Sequence, residues 1–584
     1  MTYQAPVDDI LFALKTAVSL DDRIYDGLDL DTIAAIVCEA GSFGADVLAP
    51  LNWTGDRAGS KWSAGEVKTP DGFRDAYRRF AEGGWSALPC PEAYGGQGLP
   101  EIMTVAVGEI WNAANMSFGL CPLLTQGAIH AIEAGGSEAL KAKFLPKMAS
   151  GAWTGTMNLT EPHAGSDLSP LTTKAVRQSD GTYKITGAKI FITWGEHDLA
   201  ENIIHLVLAR LPDAPAGTRG ISLFVAPKFL VNDDGSLGAR NDVVCSGVEH
   251  KLGIMASPTC VMKFGEQGGA TAYLVGEENR GLATMFVMMN AARLAVGVQG
   301  VAISDRATQR AIAYARDRRQ GRSSKPNGAG MSPIIEHADI RRTLLTMKAT
   351  TQAARMICFA TSYALDVAHR SGDATVRKAA EHRAALLTPI AKAFATDAGV
   401  EIASMGIQVH GGMGFIEETG AAQHWRDSRI LPIYEGTNGI QAIDLVTRKL
   451  PLDEGRAVRA YLDDMGAVIS DLNTSNRPGF TQMAERLTDG IAALREATEA
   501  MMLALKSNPE AALAGATPYL RLFGTVSGGG YLARGALSED APATQIALAR
   551  FYVDNLFTSA GGLAATVMRG ADSVLSADAA AALS

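Results

Sequence analysis

A double switch in hydrophobic period constrains this chain more than any other feature. Up to about residue 150 the apolar residues recur at helical spacing, as in Ile10, Leu11, Leu14 and Val18. After Trp153 the apolar runs shorten to strand length and are punctuated by turn pairs such as Asp180-Gly181 and Asp234-Gly235. From about Gly281 the helical period returns in long stretches. A β block between two helical blocks cannot share one layer with them, so the pattern predicts an α+β multidomain chain. At 584 residues the chain also exceeds what one core sustains.

The expected divisions are a helical domain over 1–153, an antiparallel β domain over 154–277, a helical bundle over 278–449 and a further helical module over 450–584. In the first, Asp31 to Cys38 opens a helix with an acidic first turn, and Pro50 to Gly72 reads as loop. A helix follows over Phe73–Glu82, then a Gly/Pro loop from Pro89 to Pro100 and two apolar helices near 102–134 and 137–149. Bundle helices are expected over 282–317, 333–370, 375–405 and 436–448. The alanine-rich remainder breaks at Asn476–Gly479, Asn508-Pro509 and Glu539–Pro542.

Composition removes several functions. A net charge of −9 and a pI near 5.7 argue against a nucleic-acid partner, and acidic residues outnumber basic ones in 451–584. The six cysteines show no CxxC and no zinc spacing, which reads as reduced, buried thiols in a cytoplasmic protein. The N-terminus, Met-Thr-Tyr-Gln, lacks a secretory pattern, and no run of 18 apolar residues predicts a membrane span. GxGxxG after a strand, GxxxxGK[ST], HExxH and GxSxG are missing, and the ten histidines show no i, i+4 pairing, so no metal is expected.

What remains is a set of polar and glycine-rich loops. Asn158 to Ser169 (NLTEPHAGSDLS) offers the Thr160 and Ser166 hydroxyls beside Gly165, either for a ligand or for Asx turns in a helix-to-strand connection. Phe191 and Thr193 stand two apart near a strand end, which suits either a flat ring with a polar edge or plain packing. Gln408 to Phe415 (QVHGGMGF) is an anion nest or a helix cap, and Arg316 to Arg322 (RDRRQGR) is a dipole-complementing cluster or a pyrophosphate site. Glu435 follows an apolar run and precedes Gly436. A carboxyl at such an edge loses hydration and gains basicity, although an isolated Tyr-Glu-Gly is usually a solvated turn.

Taken together, TEPHAGSD over 160–167, QxxGGxGF over 408–415, Arg426-Asp427 and YEGT over 434–437 resemble the signatures of the acyl-CoA dehydrogenases, in order and spacing. The likeness spans roughly 75–448, and the extra length resembles a long bacterial subgroup with a C-terminal extension. It implies an N-terminal helical domain, a middle β domain and a C-terminal four-helix bundle. It further implies FAD, an acyl-CoA substrate, electron-transferring flavoprotein as acceptor and a homo-oligomer, expected as a dimer.

Carried over by position, the resemblance makes Glu435 the catalytic base. It puts Met157, Leu159, Thr160, Phe191 and Thr193 around the flavin ring, and Ser166, Arg293, Tyr434 and Gly436 at the substrate. Arg318, Gln320, Gln408 and Gly412 would reach the FAD of a neighbouring subunit, with Thr437 and Gly439 at its adenosine side. Met157 stands where many members carry an aromatic, Gly321 replaces a common Phe, and Ala292 offers no rival carboxylate. The implied reaction is α,β-dehydrogenation to a trans-2-enoyl thioester. The expected substrate is 3-methylmercaptopropionyl-CoA from dimethylsulfoniopropionate breakdown. Medium- or long-chain fatty acyl-CoA, or an oxidase passing electrons to oxygen, are the alternatives.

Overall fold

A computed structural model describes residues 3–20, 22–325 and 328–584. Met1 and Thr2, where the reading of the N-terminus begins, lie outside the described residues. Helices dominate up to Ala149, and Phe73–Glu82 forms as its pattern predicts. The Pro50–Gly72 segment is not loop. It is a helix, Ala49–Ala58, followed by the hairpin Lys61–Ser63/Glu66–Lys68. A π turn over Gly44–Leu48 joins that helix to Leu30–Phe43, so the chain is helical from Leu30 to Ala58 and the widened turn precedes Pro50, whose N–H is missing. The single apolar helix expected over 102–134 is two, α1 (Glu101–Ala114) and α2 (Met116–Gly135). Asn115 is extended between them and caps α2 by accepting from the Phe118 N–H.

The middle region is an eight-stranded sheet. Its strands are β1 (Trp153–Asn158), β2 (Lys174–Arg177), β3 (Tyr183–Thr193), β4 (Asn202–Arg210), β5 (Ile221–Pro227), β6 (Val243–Val248), β7 (Thr259–Phe264) and β8 (Ala270–Val275). The order is β6-β7-β3-β8-β5-β4-β1, with β2 against β3 and β4. The expectation of an antiparallel sheet needs correction on both sides of β4's run: β1 pairs parallel with β4 from Trp153↔Asn202 to Asn158↔Val207, and β2 meets β4 in parallel at Lys174↔Arg210. The long excursion through β2 and β3 supplies the crossover that a parallel neighbour requires.

The bundle is built on α3 (Gly281–Asp317), α4 (Ala338–Arg370) and α5 (Ala374–His410), with the shorter α6 (Ala421–Ser428) and α7 (Asn438–Asp444) closing it. Small residues let α3 and α5 approach closely. A Cβ at Gly300 would lie 2.3 Å from the Ala395 carbonyl oxygen. Helices α8 (Arg456–Thr474), α9 (Phe480–Ser507) and α10 (Ala516–Leu537) share one apolar core with the bundle through Phe394, Leu445, Leu520 and Phe523. By length and composition alone, Leu30–Ala58 and α3 are apolar enough to cross a membrane, and α3 is mostly buried inside the bundle. Five cysteines are buried as expected, but Cys38 is exposed, on the outer face of its helix.

Candidate active site

Glu435 lies in the bend between α6 and α7, with φ of +57°, a left-handed conformation that a glutamate rarely adopts. The bend is held from both sides. The Asn438 N–H donates to the Pro432 carbonyl at 3.0 Å, and Gln441 Nε2 donates to the carbonyls of Glu435 and Gly436 at 3.3 and 3.2 Å. Gly436 has φ of +80°, and a Cβ there would meet Gln441 Nε2 at 2.7 Å. Thr437 caps α7 by accepting from the Ile440 N–H at 3.2 Å, and Gly439 follows in its first turn.

The Glu435 Oε2 atom is buried and has no hydrogen-bond partner among the described residues. Burial raises this carboxyl to about 7, while Lys392 and Arg293 pull it down. Arg293 is itself buried, bonded to Asn290 Oδ1 and Asp444 Oδ2 at 3.3 Å each, with Nε free of partners. Burial also lowers Lys392 to about 7, with the Glu435 charge opposing that fall, so the two groups act on each other. The Glu435 N–H donates to no acceptor among the described residues. Beside it, the Tyr434 hydroxyl donates to Gln299 Oε1, and Gln299 Nε2 donates to Asn112 Oδ1 at 3.0 Å.

Asn112 is in the wall of a narrow cavity between α1, α2 and α3, lined also by Trp111, Gly119, Leu123, Ala295 and Val298. Glu101 and Thr104 form its polar end. Burial, with Asp366 nearby, raises Glu101 to about 8, and Thr104 Oγ1 is unpartnered.

A second group forms where the chain leaving β1 meets the end of β3. Met157 is on β1, and Leu159 and Thr160 follow it. The Ile190 N–H donates to the Thr160 carbonyl at 3.0 Å, and Lys189 Nζ donates to the Leu159 carbonyl at 2.9 Å. Along β3 the register slips between Met262↔Lys189 and Cys260↔Ile192, a bulge that breaks simple alternation. Phe191 therefore takes φ of +60° and turns its ring outward, 57% exposed, with Thr193 beside it on the more open side. Trp194 is a second outlier at φ +54°, buried and donating to the Ser117 carbonyl at 3.2 Å. Leu159 and Met157 pack with Leu124 of α2 and Met288 of α3, so this group backs onto the helices that wall the cavity.

The residues present fit a ligand with a flat apolar face and a polar rim. The hydroxyls of Thr160, Ser166 and Thr193 hydrogen-bond to nothing within the described residues, and Gly165 faces open space. Their neighbours Thr172, Thr173 and Lys189 are all spent on Glu161.

Arg318, Gln320, Gln408 and Gly412 form a third group, since Tyr314 stacks on His410 at 4.4 Å and joins the ends of α3 and α5. Arg318 contacts Gln320 at 3.4 Å, Gln408 is exposed, and Gly412 has open space around it. Gly411 ends α5 with φ of +59°, and the glycine run continues as a tight turn over Gly411–Phe415. This group is not brought to Glu435. Twenty-five positions of helix separate Arg318 from Arg293, about 38 Å at 1.5 Å per residue. Sequence reasoning missed Lys392, Asn438, Gln299 and Asn112. A lysine inside the apolar run PIAKAFA (389–395) was the available signal, because a cation on a core face needs a partner.

Comparison with known proteins agrees with this architecture. Family models for the acyl-CoA dehydrogenase N-terminal, middle and C-terminal domains match residues 56–152, 156–266 and 279–450. An acetyl-CoA dehydrogenase C-terminal-like model matches 461–578. The 3-methylmercaptopropionyl-CoA dehydrogenase of Ruegeria pomeroyi is 48% identical over 93% of this chain and 92% of its own. A butyryl-CoA dehydrogenase of Syntrophomonas wolfei is 36% identical over 87% and 85% respectively. In fold, the chain matches the Bacillus anthracis acyl-CoA dehydrogenase complexed with FAD, with a TM-score of 0.76 at 20% identity over 96% and 92% of the two chains. The chain belongs to the acyl-CoA dehydrogenase family.

Proposed function

We propose that this protein is an FAD-dependent dehydrogenase converting 3-methylmercaptopropionyl-CoA to methylthioacryloyl-CoA, a trans-2-enoyl thioester, in dimethylsulfoniopropionate breakdown. The observation that carries the reaction is the enclosed Oε2 atom of Glu435, unpartnered among the described residues, on a backbone strained to present it. The substrate reading draws on the relative of that name at 48% identity.

Glu435 takes the α-proton. With its affinity near 7 it is substantially ionised at neutral pH yet still a strong acceptor. The free Glu435 N–H is a fixed donor for the thioester oxygen as enolate charge builds. Arg293 and Ser166 bind the CoA side, and Tyr434 and Gly436 shape the acyl entrance. FAD, when bound, supplies the acceptor for the hydride leaving the β-carbon. Met157, Leu159 and Phe191 would hold its ring face, and Thr160 and Thr193 its polar edge. Arg318, Gln320, Gln408 and Gly412 would serve the pyrophosphate side of a neighbouring subunit's FAD, with Thr437 and Gly439 on the adenosine side. That arrangement makes the assembly a dimer. Electron-transferring flavoprotein is the acceptor and the cytoplasm the compartment, with no membrane span.

Steady-state rates with butanoyl-, octanoyl- and 3-methylmercaptopropionyl-CoA test the substrate. The last should give the highest kcat/KM, and a preference for octanoyl-CoA would make the enzyme a fatty acyl-CoA dehydrogenase. Stoichiometric peroxide in air would make it an oxidase. A purified protein that cannot be loaded with FAD would overturn the reading altogether.

A further inference from the structure

The C-terminal module touches the active site's supports, and those contacts give it a task. Asn438 is the first residue of α7, three after Glu435, and its side chain is clamped by one stretch of α5. Lys392 Nζ donates to Asn438 Oδ1 at 2.8 Å. Asn438 Nδ2 donates to Asp397 Oδ1 at 2.7 Å and to Thr396 Oγ1 at 3.0 Å. Lys392 and Thr396 are fully buried, so the clamp has no water to exchange with.

That stretch of α5 is braced from outside by α10, which also packs on α7. Gly524 lets α10 sit against Phe394, since a Cβ there would be 2.4 Å from the Phe394 ring. One turn earlier, Arg521 reaches across to Glu401 with two hydrogen bonds of 2.6 and 2.8 Å, and its charge acts on Asp397. Bidentate pairing fixes the guanidinium in direction as well as distance.

We propose that the C-terminal module positions the catalytic base: Arg521, paired with Glu401, and Gly524, seated on Phe394, hold α10 against the stretch of α5 whose Asp397 and Lys392 clamp Asn438, and Asn438 sets the turn that presents Glu435. This rests on Glu435 being the base. The charged groups facing the turn are Lys392 and Asp397 on α5, Arg293 on α3 and Asp444 on α7, with Arg448 behind Arg293 and Glu401 beside Arg521. Arg521, Asp397 and Asn438 are positioning residues. Arg521 and Glu401 are both half-exposed, so their pair adds little to global stability.

The test compares Arg521→Gln, Arg521→Lys and Asn438→Ala in the FAD-loaded full chain. With Asn438 released, Lys392 no longer stands fixed beside Glu435, and the carboxyl gains proton affinity. Arg521→Gln and Asn438→Ala should both move the acid limb of kcat/KM to higher pH and lower kcat at pH 6.5 roughly tenfold. KM should stay nearly unchanged in both and Tm nearly unchanged in Arg521→Gln, whereas Asn438→Ala, which leaves buried Lys392 without its partner, should lose Tm as well; Arg521→Lys should recover part of the loss of its Gln counterpart. An infrared carboxyl band, assigned by its disappearance in Glu435→Gln, should titrate higher in both variants without substrate. An Arg521→Gln enzyme with the wild-type limb and band overturns the proposal. A merely structural role would instead lower Tm and leave the limb in place. Failure of the underlying reading is distinguishable, because it would appear as an active Glu435→Gln enzyme.

Discussion

Two desolvated glutamates in this chain are driven in opposite directions. Glu161, in the loop after β1, accepts from Lys189 Nζ at 2.9 Å, from the Thr172 and Thr173 hydroxyls at 2.7 and 2.6 Å, and from both their N–H groups. Burial raises its proton affinity, but Lys189 and the hydroxyls more than offset that, leaving it near 2. Glu435 is half-buried with its Oε2 atom enclosed, yet among the described residues that oxygen has no partner, and desolvation raises its carboxyl to about 7. Burial alone therefore does not create a base. What separates a structural carboxylate from a reactive one is whether the fold completes its hydrogen bonds.

The sharpest attempt to break this contrast is Glu435→Gln, which should keep FAD and lose turnover by about 10²–10⁴-fold. Near-normal rates would end the distinction. The same variant should also be more stable than wild type at pH 8. A folded-state affinity raised above 4.5 means the native protein binds more protons than the unfolded chain between 4.5 and about 7, so wild-type stability falls as pH rises through that window.

Glu161→Gln should behave in the reverse sense. It leaves Lys189 buried without a charge partner, so denaturant titration should show a loss of about 3–5 kcal/mol at pH 7. With a folded-state value near 2, the Glu161 contribution is present above 4.5 and lost as pH falls toward 2. The gap between wild type and Glu161→Gln should therefore close in acid. A gap independent of pH would refute the pairing.

The smallest effect is expected from Thr193→Val, which removes a hydroxyl that the chain itself does not use. Stability should hardly move, while turnover falls roughly fivefold, the worth of one hydrogen bond of about 1 kcal/mol. A stability loss exceeding the rate effect would place Thr193 with Glu161, as structure.

Much of this was legible beforehand because single residues announced it. Gly436 after Glu435, the bounded helix Phe73–Glu82 and the breaks at Asn508-Pro509 depend on local chemistry, and each is found where its residues point. Pro50 misled, because a proline usually ends a helix, whereas here a π turn just before it lets the helix run on. Asn115 was overlooked because its cap lies inside an apolar run, where periodicity outweighs a lone polar residue. The Lys392–Asn438 clamp was invisible for a different reason, being a contact 46 positions apart that only the packing of α5 on α7 creates.

One rod, α3, bears Arg293 near its start and Arg318 at its tip. Its middle is locked against α5 at Gly297 and Gly300, where backbones nearly touch. A single inserted residue between those ends would twist everything beyond it by about 100° and advance it 1.5 Å. The guanidinium at the tip would then point elsewhere, or the glycines would leave their slots. Thirty-seven residues in that helix is thus a fixed gauge, and homologues should vary in the loops it joins and not in its length.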